Sequence, residues 1–191
     1  MRARDNPFRS ERVLSLRYRL GGNWDALMAR FGRLGRRAAI VGPHGSGKTT
    51  LLEDLAPRFR EAGFTPRPLR LDTETPCFET GFLDRFFASL GPRDLLLFDG
   101  AEQLGALAWR RFERRARAAA GLLVTTHRPG RLPTLIETST TPELLETLVA
   151  QILGDAAPEL RPIMPALFER HGGNLREALR ELYDRYAGAD A

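Results

Sequence analysis

A glycine-rich stretch after the first strand-like segment constrains the fold of this chain most strongly. Residues 40–50 read IVGPHGSGKTT, so that four residues separate Gly42 from Gly47, Lys48 and Thr49. An apolar run precedes the stretch and a helical pattern follows it. Glycines let the backbone wrap closely around an anion, and successive N–H groups at a helix start attract negative charge. The stretch therefore predicts a phosphate-binding loop between a strand and a helix.

The residues of this loop have separate predicted roles. The Lys48 ammonium is expected on the β- and γ-phosphates and the Thr49 hydroxyl on Mg²⁺. Lys48 is the only lysine among 29 basic residues. Arginine's planar fork cannot replace a compact ammonium inside a loop closed around phosphate. The predicted phosphate-binding set is Gly42, Pro43, His44, Gly45, Ser46, Gly47, Lys48, Thr49 and Thr50.

Composition limits the class of protein. The 191 residues allow one domain, or one domain and a small appendage. Cys77 is the only cysteine, which rules out a disulfide within the chain and argues against a cysteine metal site. No apolar run approaches the length of a membrane span, and the N-terminus lacks an apolar leader. We therefore expect a cytoplasmic protein without membrane insertion.

Positive charge is concentrated near the N-terminus. Residues 1–37 carry ten arginines against Asp5, Glu11 and Asp25, a balance of +7 that leaves −2 for the remaining chain. Such asymmetry indicates contact with nucleic acid or an acidic partner, although a solvated arginine-rich surface fits as well.

Alternation of strand-like and helical segments predicts an α/β protein with an open, mostly parallel five-stranded sheet and helices on both faces. Residues 14–20 alternate as a further strand, and the expected domains are a basic segment at 1–37 packed on the core, a core at 38–141 and a small helical lid at 142–191. The five sheet strands are predicted at 38–41, 68–71, 95–99, 122–127 and 135–137. Helices are predicted at 24–31, 48–62, 81–90, 104–120, 142–153, near 167 and at 175–186.

A second motif follows about 50 residues after the loop. Four apolar residues, 95–98, precede Asp99. The run resembles the Walker B strand of P-loop NTPases, which delivers a carboxylate to the carboxyl edge of the sheet, where it holds Mg²⁺ through water. The alternative is that Asp99 caps the following helix.

The C-terminal segment carries a third resemblance. Residues 172–179, GGNLREAL, resemble the sensor-2 motif in the helical lid of AAA+ and related STAND ATPases, which implies that Arg176 contacts phosphate. Residues 6–8 and the helix at Trp24 look like the segment that precedes the phosphate loop in AAA+ ATPases of secretion and transposition systems. The resemblance implies a strand order of 5-1-4-3-2. It also implies an ATP-binding, Mg²⁺-dependent ATPase that acts on a macromolecular partner, with an unidentified protein partner and assembly into a homo-oligomer.

The residue that activates the attacking water is less clear. Many ATPases of this group carry Glu directly after the Walker B Asp, where this chain has Gly100. We expect Glu102 to replace it, with Glu74 in the loop after the second strand as the alternative. If neither is positioned, the chain is a nucleotide-gated interaction module with slow turnover.

Polar residues end the next predicted strand. Thr126 is the first candidate for sensing the γ-phosphate or holding the water, and His127 is the alternative. Arg128 and Arg131 follow in a loop from which a cation is expected to reach the nucleotide of a neighbouring subunit.

Other classes of P-loop protein carry characteristic motifs that can be looked for in this sequence. The guanine-reading motif of GTPases needs a second lysine, and the transporter signature LSGGQ is missing from the sequence. A small-molecule kinase remains an alternative, because Asp84-Arg85-Phe86 faintly resembles a nucleoside-kinase motif and the arginines of 110–117 could form its phosphate lid.

Overall fold

The computed structural model describes residues 6–8 and 23–188, apart from the side chains of residues 155–159 and 188. The predicted strand at 14–20 and six of the ten N-terminal arginines lie outside the described residues.

Five parallel strands form one sheet in the order β2-β3-β4-β1-β5. This is the predicted order read from the opposite edge, and the predicted fold class is confirmed. The strands are β1 (Arg37–Val41), β2 (Thr65–Arg70), β3 (Asp94–Asp99), β4 (Gly121–Thr126) and β5 (Thr134–Glu137).

Strand β2 begins at Thr65, three residues before the predicted start at Pro68, because two prolines fit an edge strand. The N–H groups of Thr65 and Leu71 donate to the neighbouring β3 segment, at the carbonyls of Arg93 and Asp99. The even-numbered positions of β2, which include both prolines, therefore direct their backbone nitrogens away from β3. A missing N–H costs nothing on that side of an edge strand.

Helices cover both faces of the sheet because alternate residues of the central strands enter different clusters. One cluster joins Phe98 of β3 to Trp109 and Phe112. The other joins Leu97 of the same strand to Phe59. The helices of this part are α1 (Trp24–Arg33), α2 (Lys48–Glu61), α3 (Phe82–Ala88) and α4 (Ala106–Ala116).

Helix α4 is shorter than the predicted 104–120. A 3-10 turn, Ala101–Gln103, precedes it, and Gly105 occupies its N-cap in an extended conformation. Glycine favours a helix boundary at that point over a helix interior.

The chain divides into two compact units. Among the described residues, the sheet unit comprises 23–42 and 47–138, and the helical unit comprises 6–8, 43–46 and 139–188. The predicted boundaries at 37 and 141 stay a prediction.

The helical unit has its own core. Phe8 is 2% exposed and lies against Tyr186, with the ring centroids 5.3 Å apart. The Asn6 amide donates to the carbonyl of Tyr183. The segments of this unit are α5 (Pro142–Leu153), a 3-10 segment (Gly154–Ile163), α6 (Met164–Arg170) and α7 (Leu175–Gly188).

Among the described helices, none is both long enough and apolar enough to span a membrane.

The start of α5 supplies a test of the local structure. The Thr141 hydroxyl accepts the N–H of Leu144, and Pro142 occupies the first turn. Thr141→Ala is expected to lower the free energy of unfolding by about 1 kcal/mol, measured by urea denaturation. Thr147→Ala is the matched control, because Thr147 lies within the same helix and its hydroxyl donates only to the Glu143 carbonyl. Equal losses in the two variants would show that the cap contributes nothing.

Candidate phosphate-binding site

The start of α2 has the local structure of an anion site. Helix α2 begins at Lys48, and Gly47 at its N-cap has φ +81° and makes no side-chain capping bond. The first N–H groups of a helix have no acceptor within the helix, and here no side chain at the N-cap replaces one. The first turn also carries no acidic residue, so no side chain of the helix itself compensates the positive end of its dipole. This end of the helix therefore favours a bound anion.

The Lys48 side chain is folded back against the entry to the loop. Its Nζ donates to the carbonyl oxygen of Gly42 at 2.8 Å, and the residue is 8% exposed. The N–H of Gly42 in turn donates to the Thr126 carbonyl at the end of β4. Burial lowers the pKa of Lys48 below its usual value, and the negative charges of Glu102 and Asp99 act in the opposite direction. Lys48 thus lies in the field of two carboxylates at the carboxyl edge of the sheet.

Two hydroxyl groups hold the carboxylate of Asp99. The Thr49 Oγ1 donates to its Oδ2 at 2.9 Å, and the Thr125 Oγ1 donates to its Oδ1 at 2.6 Å. Asp99 therefore does not cap the following turn, where Gly100 takes the N-cap position without a side-chain bond. Thr49 and Asp99, the predicted Mg²⁺ residues, lie within hydrogen-bond distance of each other.

This pair fits Mg²⁺ chemically, because a hydroxyl and a carboxylate are the hard oxygen donors that the ion prefers. Within the described part of the chain, no group of three or more His, Cys, Asp or Glu side chains is arranged to hold a metal. A Mg²⁺ ion at Thr49 and Asp99 would therefore complete its shell with water and phosphate oxygens, as the ion commonly does.

Backbone geometry explains the glycine that follows Asp99. Gly100 has φ +84°, and a Cβ built on it would lie 2.0 Å from the carbonyl oxygen of Leu71. Its N–H donates to the Thr125 Oγ1 at 2.9 Å. No side chain fits at this position, so the glutamate expected there from the family pattern is sterically excluded.

Glu102 lies in the 3-10 turn directly after this glycine. Its Oε1 is 3.1 Å from the Nε2 of His127, and the two side chains are 23% and 27% exposed. Two residues that the sequence offered for different roles are therefore neighbours. Glu74, the alternative base, is exposed in a turn where the Asp72 carboxylate accepts its backbone N–H.

The two threonines that end β4 differ in their contacts. Thr126 is 2% exposed, and its hydroxyl donates to the carbonyl of Arg128 at 2.9 Å. Thr125 is the residue whose hydroxyl reaches Asp99. Thr125 lies within the strand predicted at 122–127, and the sequence analysis assigned it no role. Its signal was available in strand register, because β3 and β4 are parallel neighbours with Phe98 opposite Val124.

The two loop arginines also differ. Arg131 donates to the Leu104 carbonyl, and its guanidinium lies over the Trp109 ring at 4.9 Å from the centroid. Burial lowers the pKa of Arg131, while the charge of Glu102 raises it. Arg128 is exposed. Arg131 is therefore engaged within its own unit, whereas Arg128 is accessible.

Within the helical unit, the middle of the loop meets the start of α7. A Cβ on Gly45, whose φ is +71°, would lie 2.1 Å from the Asn174 Oδ1. That oxygen accepts the N–H of Arg176 at 3.1 Å, and the Arg176 side chain is exposed. The Ser46 hydroxyl donates to the Pro43 carbonyl at 2.8 Å. The sequence predicted a role for Arg176 but not the close approach of Asn174 to the loop.

The remaining loop residues are less enclosed. His44 is exposed, like Pro43 before it, and Thr50 is half-buried in the first turn of α2.

Comparisons with known proteins bear on the fold. No family model and no curated protein matches the chain. It is similar to solved structures of Thermotoga maritima RuvB. One RuvB mutant is 20% identical over 87% of this chain and 61% of that one, with a TM-score of 0.56. A second variant is 21% identical over 82% of this chain and 57% of that one, with a TM-score of 0.53.

A third RuvB structure, described as a Holliday junction branch migration motor, is 18% identical over 84% of this chain and 60% of that one, with a TM-score of 0.51. The chain thus spans roughly three fifths of the length of these RuvB structures. Identities this low show the fold alone, the P-loop fold that this chain shares with these RuvB structures.

The close approach at Gly100 yields a testable expectation. Gly100→Ala is expected to lower the free energy of unfolding by about 3 kcal/mol or more, because the new methyl group meets the Leu71 carbonyl oxygen at an unfavourable φ. Gly63→Ala is the matched control, since Gly63 has the same φ of +84° but nothing within 4 Å of its Cβ position. The control should lose only about 1 kcal/mol in chemical denaturation. Similar losses would show that backbone strain, without a steric clash, accounts for the glycine.

Proposed function

We propose that this chain binds ATP with Mg²⁺ and hydrolyses it, as an ATPase of the AAA+ or related STAND type that couples its nucleotide state to a macromolecular partner. The hydrogen bond between Thr49 and Asp99 beside Lys48 carries the proposal. An ammonium, a hydroxyl and a carboxylate meet at one sheet edge beside an uncapped helix start. That set matches the requirements of a nucleoside triphosphate with its metal ion.

In this proposal the loop residues and the first turn of α2 bind the phosphates through N–H groups, and Lys48 leaves the Gly42 carbonyl to pair with the β- and γ-phosphates. Mg²⁺ held by Thr49 and Asp99 would supply charge neutralisation at the phosphate oxygens. Arg176 contributes a further cation at the start of α7. The loop residues assigned to phosphate binding are Gly42, Pro43, His44, Gly45, Ser46, Gly47, Lys48, Thr49 and Thr50.

We assign Glu102 the role of general base, which orients the attacking water and accepts its proton. Glu102 is partly buried, and its charge acts on the pKa of Lys48, which indicates that the carboxylate lies near the proposed phosphate site. Glu74 is exposed, and no comparable contact of its carboxylate supports the same role. Thr126, with His127 as the alternative, would sense the γ-phosphate, and Arg128 would reach the nucleotide of a neighbouring copy.

One observation favours a second candidate, a nucleotide-gated module with slow turnover. The Glu102 carboxylate is engaged by His127, and an engaged carboxylate is a weaker acceptor for a water proton. The kinase alternative gains no such support. Its candidate residue Asp84 forms an exposed ion pair with Arg115, at 2.6 Å, on the surface of α3.

We further propose that the protein acts in the cytoplasm as a homo-oligomer, without membrane insertion. The accessible Arg128 supports assembly, because a cation supplied in trans makes hydrolysis depend on a neighbouring subunit.

Nucleotide binding is tested at the single lysine. Lys48→Ala is expected to abolish Mg²⁺-dependent ATP binding in isothermal titration calorimetry, because the only ammonium near the phosphates is removed. Arg60→Ala, an exposed cation on the same helix, is the control and should bind normally. Retained affinity in the Lys48 variant would contradict the proposed site.

Hydrolysis is tested with a matched pair of carboxylates. Glu102→Gln is expected to lower the rate of phosphate release at least about 100-fold with ATP affinity unchanged, and Glu74→Gln should leave the rate unaltered. The reverse result would assign the base to Glu74. Negligible release by the unmodified protein, with ATP still bound, would favour the nucleotide-gated module, and phosphate transfer to an added acceptor would favour a kinase.

A further inference from the structure

Helix α4 has one face that the sheet unit does not use. Trp109, Phe112 and Ala116 are buried against the sheet. The opposite face carries exposed arginines that fall within about 120° of arc at 100° per residue. We call this group the arginine face; it consists of Arg110, Arg111, Arg114 and Arg117.

The acidic residues near α4 lie on its flanks. On one side Asp84 pairs with Arg115, whose guanidinium also lies over the Phe87 ring at 4.6 Å. On the other side, burial and then the charge of Arg117 lower the pKa of Arg37, and the charge of Glu113 acts in the opposite direction. Among the described residues, no carboxylate lies within ion-pair distance of the arginine face. Four guanidinium groups are therefore left to solvent over about two turns of helix.

This arrangement is unfavourable for the isolated helix. Arg110 and Arg114 are four residues apart and Arg114 and Arg117 three, and like charges at these spacings destabilise a helix by a few tenths of a kcal/mol per pair. Glu113, three residues after Arg110 and four before Arg117, offsets part of this repulsion. The helical unit shows that the chain can avoid such repulsion, because Arg170 and Arg185 both pair with Glu181 there. Exposed arginines such as Arg60, Arg93 and Arg180 also form no ion pair among the described residues, but they are scattered, whereas α4 gathers four on one face.

The side chains around the arginine face indicate which class of partner it binds. Leu107, 64% exposed at the N-terminal end of α4, is the one large apolar side chain that the described chain exposes so fully. A protein partner would therefore find no cluster of apolar or aromatic anchors on this face, although such anchors dominate protein interfaces. Guanidinium groups bind phosphate bidentately, and a helix face about 10 Å long spans several phosphates of a nucleic acid.

We propose that the arginine face binds the phosphodiester backbone of nucleic acid, without reading base sequence. The site lies entirely within the sheet unit. It does not depend on ATP hydrolysis.

The test compares two triple variants in fluorescence anisotropy titrations with a labelled mixed-sequence DNA oligonucleotide at several salt concentrations. Arg110→Gln, Arg111→Gln and Arg114→Gln together should weaken binding at least about tenfold at low salt. The same variant should reduce the slope of log K against log salt by about 2. The matched control removes the same charge at three exposed, scattered positions, Arg60→Gln, Arg93→Gln and Arg180→Gln, and should bind within about twofold of the unmodified protein.

Four results would overturn the proposal. The first is an unmodified protein that shows no salt-sensitive binding. The second is an equal loss of affinity in both triple variants, which would indicate an effect of net charge alone. Binding of polyglutamate as tight as that of the oligonucleotide would assign the face to an acidic protein segment. Sedimentation showing that the face variant breaks an oligomer, with its DNA affinity unchanged, would assign the face to a second copy. Circular dichroism and urea denaturation of both variants confirm that the exposed substitutions leave the fold intact.

Discussion

The carboxylate of Asp99 is the point on which the sheet unit's chemistry depends. It accepts one hydrogen bond from a hydroxyl at the start of α2 and one from a hydroxyl at the end of β4. Two segments that are distant in sequence are thereby held at the same carboxylate. Parallel strands bring their carboxyl ends to the same edge, which makes this convergence possible. The backbone must then turn beneath the Leu71 carbonyl, and only glycine permits that turn. As a result, the nearest acidic side chain after Asp99 is Glu102, placed beside His127.

Much of the fold follows from local pattern. Apolar runs at β3 and β4, separated by amphipathic helices, indicate a parallel sheet covered on both faces, as predicted. The correct strand order came from the family resemblance and not from local pattern. Strand β2 was predicted to begin three residues late, at Pro68. Pro66 fits within a strand only where its position lacks a neighbour to accept an N–H, and the sequence does not show that β2 is such an edge strand. The N-terminal Phe8 could not be placed in the helical core from sequence, since its partner Tyr186 lies at the other end of the chain.

In the candidate site, too, some features could be predicted from local sequence and others could not. The loop and Asp99 were identified because their residue types and spacing carry the chemistry directly. Three features escaped sequence reasoning, namely the role of Thr125, the pairing of Glu102 with His127 and the approach of Asn174 to Gly45. Each depends on the distance between segments far apart in the chain, and neither periodicity nor composition encodes such distances.

The burial of Lys48 has a consequence for covalent chemistry. Within these 191 residues it is the one ε-amine, and it is 8% exposed with its nitrogen bonded to a backbone carbonyl. Acylation of a lysine, or attachment of a ubiquitin-like modifier to a lysine, would have to take place at this amine. The folded chain therefore offers such reagents almost no accessible lysine, and whatever agent does reach it acts on the loop itself.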